Sequence, residues 1–215
     1  MKIVSLIPAR KGSKGIKNKN LINLCGKPLI RYSIQASLKS KVNETYVSSD
    51  CSKILNISKK IGAKTIKRPI KLSTDTASSE SVLLHFAENV DFDILVFIQC
   101  TAPLIESKDI DKGIKKMKKY DSVLSVSETN QMFWNNRGPL YNLHNRLRRQ
   151  KSVKRYIETG SFFITTKKNL IKYKNRISGK IGFVEIPKHR SFDIDDHNDL
   201  KLVKAVIKYK KYFND

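Results

Sequence analysis

Short apolar segments alternate with amphipathic segments along most of the chain, and this alternation limits the possible folds more than any other feature of the sequence. It predicts buried strands at 2–9, 44–50, 63–69, 93–99, 121–128 and 180–187. It predicts helices at 28–38, 52–62, 78–90, 107–120 and 196–213. Strand–helix alternation at this spacing favours an α/β fold in which helices flank a mostly parallel sheet.

Three of the predicted helices carry end signals in the sequence. Gly62 follows the second helix, where a glycine can adopt the left-handed conformation that ends many helices. Ser107 is the expected N-cap of the fourth helix, and the closing helix is expected to begin near Asp196, because short oxygen-bearing side chains accept hydrogen bonds from the first free amides.

Polar residues gather directly after the predicted strands. They are Arg10 after the first strand, Ser49 and Asp50 after the second, Arg68 at the end of the third and the segment from Gln99 to Pro103 after the fourth. In parallel sheets, ligands bind beyond the carboxyl ends of the strands. The sequence therefore predicts a ligand site at this edge of the sheet.

The alternation breaks at about 130–166, where aromatic, basic and turn residues mix with β-type ends. We interpret this span as a β-rich excursion that meets a partner subunit. Phe133, Trp134, Phe162 and Phe163 are candidate apolar anchors of that contact, although aromatic residues at strand spacing are also typical of a core. Since no repeat or low-complexity linker divides the chain, residues 1–215 are predicted to form a single domain.

The net charge of +24 is high for a chain of 215 residues and by itself suggests a polyanionic partner such as nucleic acid or a membrane surface. However, 33 of the 43 basic residues are lysines, many in patterns such as KKMKK on predicted helix faces, and no nucleic-acid-binding motif stands out. A solvated lysine-rich surface is therefore favoured over a nucleic-acid interface.

The cysteines and histidines argue against a disulfide framework and against a zinc site. Cys25, Cys51 and Cys100 are widely spaced, and the four histidines have no metal-ligand spacing. The amino-terminal apolar run is too short for a signal peptide, and no apolar stretch is long enough to cross a membrane. We expect a cytoplasmic protein without a membrane partner.

The first loop, IPARKGSKGIKNKN at 7–20, combines two glycines with a series of cations. It has neither the Walker A nor the Rossmann glycine spacing. Glycines permit positive φ and let backbone amides approach a ligand, while Arg and Lys neutralise negative charge. Gly12, Ser13, Lys14 and Gly15 therefore predict a cradle for a triphosphate, and the alternative is an exposed basic loop.

Two acidic residues in SFDIDD at 191–196 form a candidate metal site. Asp193 and Asp195 are two positions apart, so on an extended segment both side chains point the same way. Carboxylates without His or Cys suit Mg²⁺ bridging phosphates. The alternative is that they cap the closing helix, a role for which Asp196 is better placed.

The sequence resembles the acylneuraminate cytidylyltransferases, also called CMP-sialic acid synthetases, in blocks along nearly the whole chain. The blocks in order are IPARKGSKGIKNKN with GKPLI, VSSD (47–50), RP (68–69), LSTDTASS (72–79), FIQCTAPL (97–104), SVLSV (122–126), RRQ (148–150), ETGSFFIT (158–165) and SFDIDD (191–196). The resemblance implies a Rossmann-like fold of the nucleotide-diphospho-sugar transferase type. It also implies a Mg²⁺-dependent homodimer that couples CTP to an acidic nine-carbon keto acid sugar and releases pyrophosphate.

The resemblance also assigns roles to individual residues. It implies that the CTP phosphates meet the basic side chains of the first loop, and that the nucleotide is bound by residues of four blocks. The implied catalytic residues are Arg10, Lys14, Lys19, Arg148 and Arg149. The implied nucleotide contacts are Arg10, Ser13, Asn20, Arg68, Ser79 and Gln99. The implied sugar contacts are Gln99, Gln150 and Thr159, and the implied metal ligands are Asp193 and Asp195.

Two positions depart from the family pattern. Gln99-Cys100-Thr101-Ala102-Pro103 replaces Q-P-T-S-P, and Thr159 stands where relatives usually carry Asn. A hydroxyl in place of a carboxamide changes the available hydrogen bonds, which leaves the identity of the sugar open. The alternatives are a legionaminic or pseudaminic acid enzyme, with deoxyoctulosonic acid less favoured, a member without turnover, and a basic nucleic-acid-binding protein.

Overall fold

The computed structural model describes residues 1–145 and 153–209 of the chain. Its strands are β1 (Ile3–Pro8), β2 (Asn23–Leu24), β3 (Lys27–Pro28), β4 (Glu44–Ser49), β5 (Lys64–Lys67), β6 (Ile94–Ile98), β7 (Ser122–Thr129), β8 (Trp134–Asn135), β9 (Gly138–Pro139), β10 (Arg155–Thr166) and β11 (Ile181–Glu185). Its helices are α1 (Leu29–Leu38), α2 (Ser52–Ile61), α3 (Ser79–Asn89), α4 (Ser107–Lys116), α5 (Lys167–Tyr173) and α6 (His197–Lys208). In the stretches of chain that the structure describes, no helix has the length and apolarity needed to span a bilayer.

A mixed sheet of seven strands forms the centre of the described structure, in the order β11-β7-β10-β6-β1-β4-β5. β10 runs antiparallel to both neighbours, β6 and β7, whereas the other pairs are parallel. The predicted mostly parallel α/β fold is therefore confirmed. β10 is the exception because a parallel return requires a crossover connection, usually a helix, and the described residues between β7 and β10 contain no α-helix.

Both faces of the sheet are buried by helices, as the continuous apolar runs predict. Alternate residues of β1 point to opposite faces: Ile3 and Ile7 pack in one core cluster, and Val4 and Leu6 in the other. The first cluster includes residues of α1, α2 and α6, and the second includes residues of α3 and α5. A sheet covered on both sides leaves its carboxyl-end edge as the open place for a ligand.

The predicted helix ends are correct at two helices and wrong at one. Gly62 ends α2 with a φ of 108°, and the Asp196 side chain accepts hydrogen bonds from the amides of Asn198 and Asp199 at 2.7 and 2.9 Å. Ser107 is not the N-cap of α4, because Ser107 is already helical and Glu106 takes that position. The Glu106 amide donates to Asp109 Oδ2 at 3.0 Å, which makes Asp109 part of the cap.

The span 130–166 differs from the predicted excursion in its second half. β10 is an inner strand of the main sheet, and its Phe162 and Phe163 are fully buried in the core. These two residues were wrongly predicted as interface anchors, because their strand register directs them to the two core clusters. Phe133 and Trp134 remain exposed, next to and within the small hairpin formed by β8 and β9.

Candidate active site

A cavity of about 530 Å³ opens at the carboxyl ends of β1 and β6. The cavity is lined by the first loop, the segment 68–79 and the 193–195 segment. This position agrees with the rule that ligands bind beyond the carboxyl ends of parallel strands (the strand-end rule). The predicted site residues that line it are Arg10, Ser13, Lys14, Lys19, Asn20, Arg68, Ser79, Gln99, Asp193 and Asp195. Blocks that are far apart in the sequence therefore converge on one concave surface. A position in the lining of the cavity does not by itself establish the role of a residue.

Backbone contacts fix the first loop above the ends of β1 and β4. The Ala9 amide donates to the Ser48 carbonyl at 2.9 Å, extending the parallel pairing of β1 with β4. The Lys11 amide donates to Asp50 Oδ1 at 2.9 Å. Buried Asn20 donates from its side-chain amide to the Arg10 carbonyl at 2.9 Å. Asp50 and Asn20 therefore position the loop that carries Arg10.

The first loop packs directly against the 193–195 segment. Lys19 Nζ donates to the Ile194 carbonyl at 2.7 Å and pairs with Asp195 Oδ1 at 3.0 Å. A Cβ atom on Gly15 would lie 2.1 Å from the Asp195 carbonyl oxygen, so only glycine fits there. The glycines of this loop do not have positive φ, in contrast to the sequence expectation. Gly15 instead permits the close approach of the Asp195 backbone, so the group next to it belongs to the protein and not to a ligand.

The two predicted metal ligands lie in different environments. Asp195 is 80% exposed, whereas Asp193 is largely buried and burial raises the pKa of its carboxyl group. Thr101 and Lys19 partly oppose that rise. Among the described residues, Asp193 Oδ1 is buried without a hydrogen-bond partner. Asp193 lines the cavity, and a buried carboxylate oxygen without a partner fits a bound cation, because a cation compensates the cost of burying the charge.

The two carboxylates suit Mg²⁺ better than a metal ion that takes all of its ligands from the protein. In the described part of the chain, no group of three or more His, Cys, Asp or Glu residues could hold a metal. Mg²⁺ commonly binds one or two carboxylates and takes its other ligands from water and substrate phosphates. Asp193 and Asp195 could therefore hold a magnesium ion that arrives with a phosphate ligand.

Arg68 is a buried cation at the wall of the cavity. Its side chain is 5% exposed, and its Nε and NH2 atoms have no hydrogen-bond partner among the described residues. Burial lowers the pKa of the guanidinium, while the charge of Asp50 opposes this effect. Unsatisfied guanidinium donors are costly to bury, so Arg68 is suited to donate hydrogen bonds to an anionic or carbonyl group of a ligand in the cavity.

The amino terminus of α3 also faces the cavity. Ser78 is its N-cap and accepts a hydrogen bond from the Ser81 amide at 3.1 Å, and both Ser78 and Ser79 line the cavity. The first amides of a helix carry partial positive charge, which favours anions. This helix end therefore adds to the attraction of the basic loop for a phosphate group.

The sequence interpretation missed one carboxylate, Asp75. It lies in the segment between Arg68 and α3 and lines the cavity. Its Oδ1 pairs with Arg10 NH1 at 2.5 Å, and its Oδ2 lies 3.7 Å from Lys14 Nζ. The hydrogen bond from Arg10 lowers the pKa of this carboxyl group. The strand-end rule could have found it, because the LSTDTASS block lies in the segment that connects β5 to α3.

Gln99 and Thr159 occupy different places relative to the cavity. Gln99 lines the cavity, and its backbone amide donates to the Ser161 carbonyl at 3.0 Å. Thr159 is not among the lining residues, and its hydroxyl donates to Ser125 Oγ at 2.7 Å. The assignment of Thr159 to sugar binding therefore stays a prediction, and its hydroxyl already has a protein partner.

Three predicted site residues, Arg148, Arg149 and Gln150, lie outside the described residues. Their assignment to phosphoryl or sugar contacts stays a prediction.

The charges that surround the cavity suit a polyphosphate together with a metal ion. Its lining has four cations, Arg10, Lys14, Lys19 and Arg68, and three carboxylates, Asp75, Asp193 and Asp195. No His or Glu of the described chain lines it. Burial raises the pKa of the Cys100 thiol, which keeps this lining cysteine protonated and unreactive. The arrangement favours binding and electrostatic stabilisation over attack by a protein nucleophile.

Comparison with known sequences identifies one family. The profile of the family described as Cytidylyltransferase matches residues 4–214. N-acylneuraminate cytidylyltransferase from Escherichia coli O18:K1:H7 (strain RS218 / NMEC) is 33% identical over 95% of this chain and 52% of its own length. Pseudaminic acid cytidylyltransferase from Campylobacter jejuni subsp. jejuni serotype O:2 is 32% identical over 97% of both chains. The chain spans about half the length of the N-acylneuraminate relatives that it matches.

Solved structures share the fold. A CMP:2-keto-3-deoxy-manno-octonic acid synthetase complexed with CTP superposes with a TM-score of 0.78 at 19% identity, covering 98% of this chain and all of the other. A 4-diphosphocytidyl-2C-methyl-D-erythritol synthase from Anaerococcus prevotii gives a TM-score of 0.70 at 12% identity, covering 96% and 98% of the two chains. The Rossmann-like architecture is thus shared with nucleotidyltransferases.

We predict that Gly15→Ala weakens the binding of a triphosphate anion about tenfold or more, because the added Cβ forces the first loop away from the Asp195 carbonyl. Titration calorimetry with inorganic tripolyphosphate and Mg²⁺ measures the effect. Gly12→Ala is the matched control, since a Cβ at Gly12 meets no atom within 4 Å. Equal loss of affinity in both variants, or no loss in Gly15→Ala, would contradict the proposed close packing.

Proposed function

The chain belongs to the cytidylyltransferase family, and on this basis we propose that it couples CTP to a sialic-acid-like nine-carbon keto acid sugar. The products are the CMP-sugar, an activated donor for surface glycan synthesis, and pyrophosphate. The observation that carries the proposal is the convergence of the first loop and the Asp193–Asp195 segment on one cavity, in a chain 33% identical to an N-acylneuraminate cytidylyltransferase.

The proposed reaction needs positioning and charge stabilisation more than covalent chemistry by the protein. The sugar hydroxyl attacks the α-phosphorus of CTP and loses its proton to solvent, a new P–O bond forms, and the bond to the pyrophosphate group breaks. Negative charge builds on the phosphate oxygens during this step, and fixed cations stabilise it. We assign this role to Arg10, Lys14 and Lys19 on the first loop and to Arg68, which also lines the cavity and has guanidinium donors without a partner among the described residues.

Asp193 and Asp195 would hold Mg²⁺ beside the phosphates. When bound, the ion neutralises charge on the phosphate oxygens and orients them for displacement. Asp195 pairs with Lys19, whose side chain is 12% exposed, so metal binding and the position of Lys19 are coupled through one carboxylate. Buried Ile194 fixes the segment between the two acids by donating its amide to the Thr101 carbonyl at 2.9 Å.

Pseudaminic acid is the second candidate sugar. The 32% identity to a pseudaminic acid cytidylyltransferase is too close to the 33% identity to the N-acylneuraminate enzyme to separate the two sugars, and Thr159 departs from the neuraminate pattern. Legionaminic acid belongs to the same chemical class. Each of these sugars carries a carboxylate that suits the cationic edge of the cavity.

An assay of pyrophosphate release with CTP, Mg²⁺ and a panel of nine-carbon keto acids tests the function. We expect release with at least one sugar, and a loss on the order of 100-fold in Asp195→Asn, because that variant removes a charged metal ligand. Asp91→Asn is the control: it also removes one negative charge, but from a carboxylate that is 94% exposed and pairs with Lys167. Thermal unfolding of each variant checks that the fold is intact.

Silence of the native protein with every sugar, together with tight and strongly salt-dependent DNA binding, would instead favour the nucleic-acid-binding alternative. Full activity of Asp195→Asn would remove this residue from the metal site.

For Thr159→Asn we predict a change of about tenfold in the ratio of kcat/KM values between two sugars of the panel, since a carboxamide offers both a donor and an acceptor. Ser125→Ala, which removes the partner of the Thr159 hydroxyl, is the matched comparison. An unchanged ratio in Thr159→Asn would mean that this side chain does not contact the sugar.

We also propose a homodimer that uses the exposed apolar residues of the segment after β7. Trp134, Leu140 and Leu143 are 60%, 62% and 56% exposed, and Val153 at the start of the next described range is 80% exposed. Large apolar side chains that are exposed in the single chain are candidates for burial in a protein interface. Sedimentation equilibrium should give a mass twice the chain mass of 24.7 kDa. A monomer at micromolar concentration would contradict the dimer.

A further inference from the structure

Asp75 lies between two cations of the first loop and contacts both. One oxygen pairs with Arg10 NH1 at 2.5 Å, and the other lies 3.7 Å from Lys14 Nζ. A single carboxylate therefore spans the two side chains that the proposed function assigns to the phosphates. The three residues come from two separate segments, so this bridge joins the two segments at the lining of the cavity.

The place that Asp75 occupies is the place a phosphate group needs. A phosphate that bridges Arg10 NH1 and Lys14 Nζ brings its oxygens to the same two groups that the carboxylate contacts. Two anions cannot share these donors without strong repulsion at such short distances. Binding of the phosphate tail therefore requires that Asp75 give up at least part of the bridge.

The bridge is weak enough to be exchanged. The Asp75 side chain is 47% exposed and the Lys14 side chain 78% exposed, and ion pairs in such solvated positions contribute little to stability. A phosphate group carries more charge than a carboxylate and binds the planar donors of arginine bidentately. A polyphosphate can therefore displace Asp75, and Asp75 can return once the polyphosphate leaves.

We propose that Asp75 is an internal competitor of the phosphate tail, which holds Arg10 and Lys14 in the free protein and promotes release of pyrophosphate by re-forming its bridge to them. This inference rests on the proposed function for the identity of the released product. Asp75 would thus act on the phosphate groups alone. The bridge lowers the affinity for CTP, and it also lowers the affinity for pyrophosphate, which favours product release.

A supporting role for Asp75 predicts the opposite change in phosphate affinity when its charge is removed. If Asp75 served to orient Arg10 for phosphate binding, loss of its charge would weaken the binding of every phosphate ligand. Under competition, loss of its charge strengthens binding, which a merely structural defect would not do. Asn is nearly isosteric with Asp and keeps an oxygen that can accept from Arg10, so the variant changes charge with little change of shape.

Titration calorimetry with inorganic pyrophosphate and Mg²⁺ compares the native protein with Asp75→Asn. We expect the variant to bind about three- to tenfold more tightly, the range for loss of one competing half-exposed ion pair together with its repulsion. Asp91→Asn is the matched control, because it removes the same charge from a surface pair with Lys167 at 3.2 Å. It should bind pyrophosphate as the native protein does.

Equal or weaker binding by Asp75→Asn, equal tightening in both variants, or no pyrophosphate binding by any of the proteins would overturn the proposal. The measurement needs no sugar and no turnover, so its outcome is separate from that of the transferase assay. Tighter binding by the variant, in a protein that releases no pyrophosphate from CTP with any sugar, would retain the competitor role and refute the proposed function.

Discussion

The contact between the first loop and the segment Asp193–Asp195 is the interaction on which the site depends. It joins residues that are about 180 positions apart in the sequence, through the close approach of Gly15 to the Asp195 carbonyl and the hydrogen bond from Lys19 to the Ile194 carbonyl. Both segments are anchored to the sheet independently, the loop through Ser48 and Asp50 and the acidic segment through Thr101. Cations and carboxylates from both segments are thereby held together at the lining of one cavity.

Charge compensation is the second organising feature. Lys19 pairs with Asp195, and Arg10 and Lys14 pair with Asp75. The cavity therefore differs from the exterior of the protein, where lysines account for most of the net charge of +24. Three of the four lining cations are thus already paired, so a polyanion that binds them does so by exchanging partners. Such an exchange keeps binding reversible, which suits the release of a charged product in the proposed reaction.

The sequence predicted the fold and the edge of the sheet at which the cavity opens, because both follow from local patterns. Apolar runs and amphipathic segments indicated the strands and helices, and the strand-end rule brought Arg10, Arg68 and Gln99 to one edge. The antiparallel placement of β10 was not predictable, because the strand order depends on long-range pairing that local periodicity does not encode. Phe162 and Phe163 were misassigned for the same reason, since their burial follows from that strand position.

The electrostatic details of the site also lay beyond the sequence. The blocks indicated which residues carry charge, but not that Asp75 would face Arg10 or that Asp193 would be buried and Asp195 exposed. Gly15 was expected to serve a ligand or a positive φ, and the structure shows a protein neighbour instead. These features depend on how segments meet in three dimensions, which neighbouring residues in the sequence do not determine.

A crystal structure of the protein with CTP and Mg²⁺ tests the central claim most directly. The account predicts that the phosphate tail lies between the first loop and the 193–195 segment. The phosphate oxygens should lie within hydrogen-bonding distance of Arg10 and Lys19, and the magnesium ion should bind to Asp193 and Asp195. A nucleotide bound at another place on the molecule, with this cavity free of ligand, would contradict it.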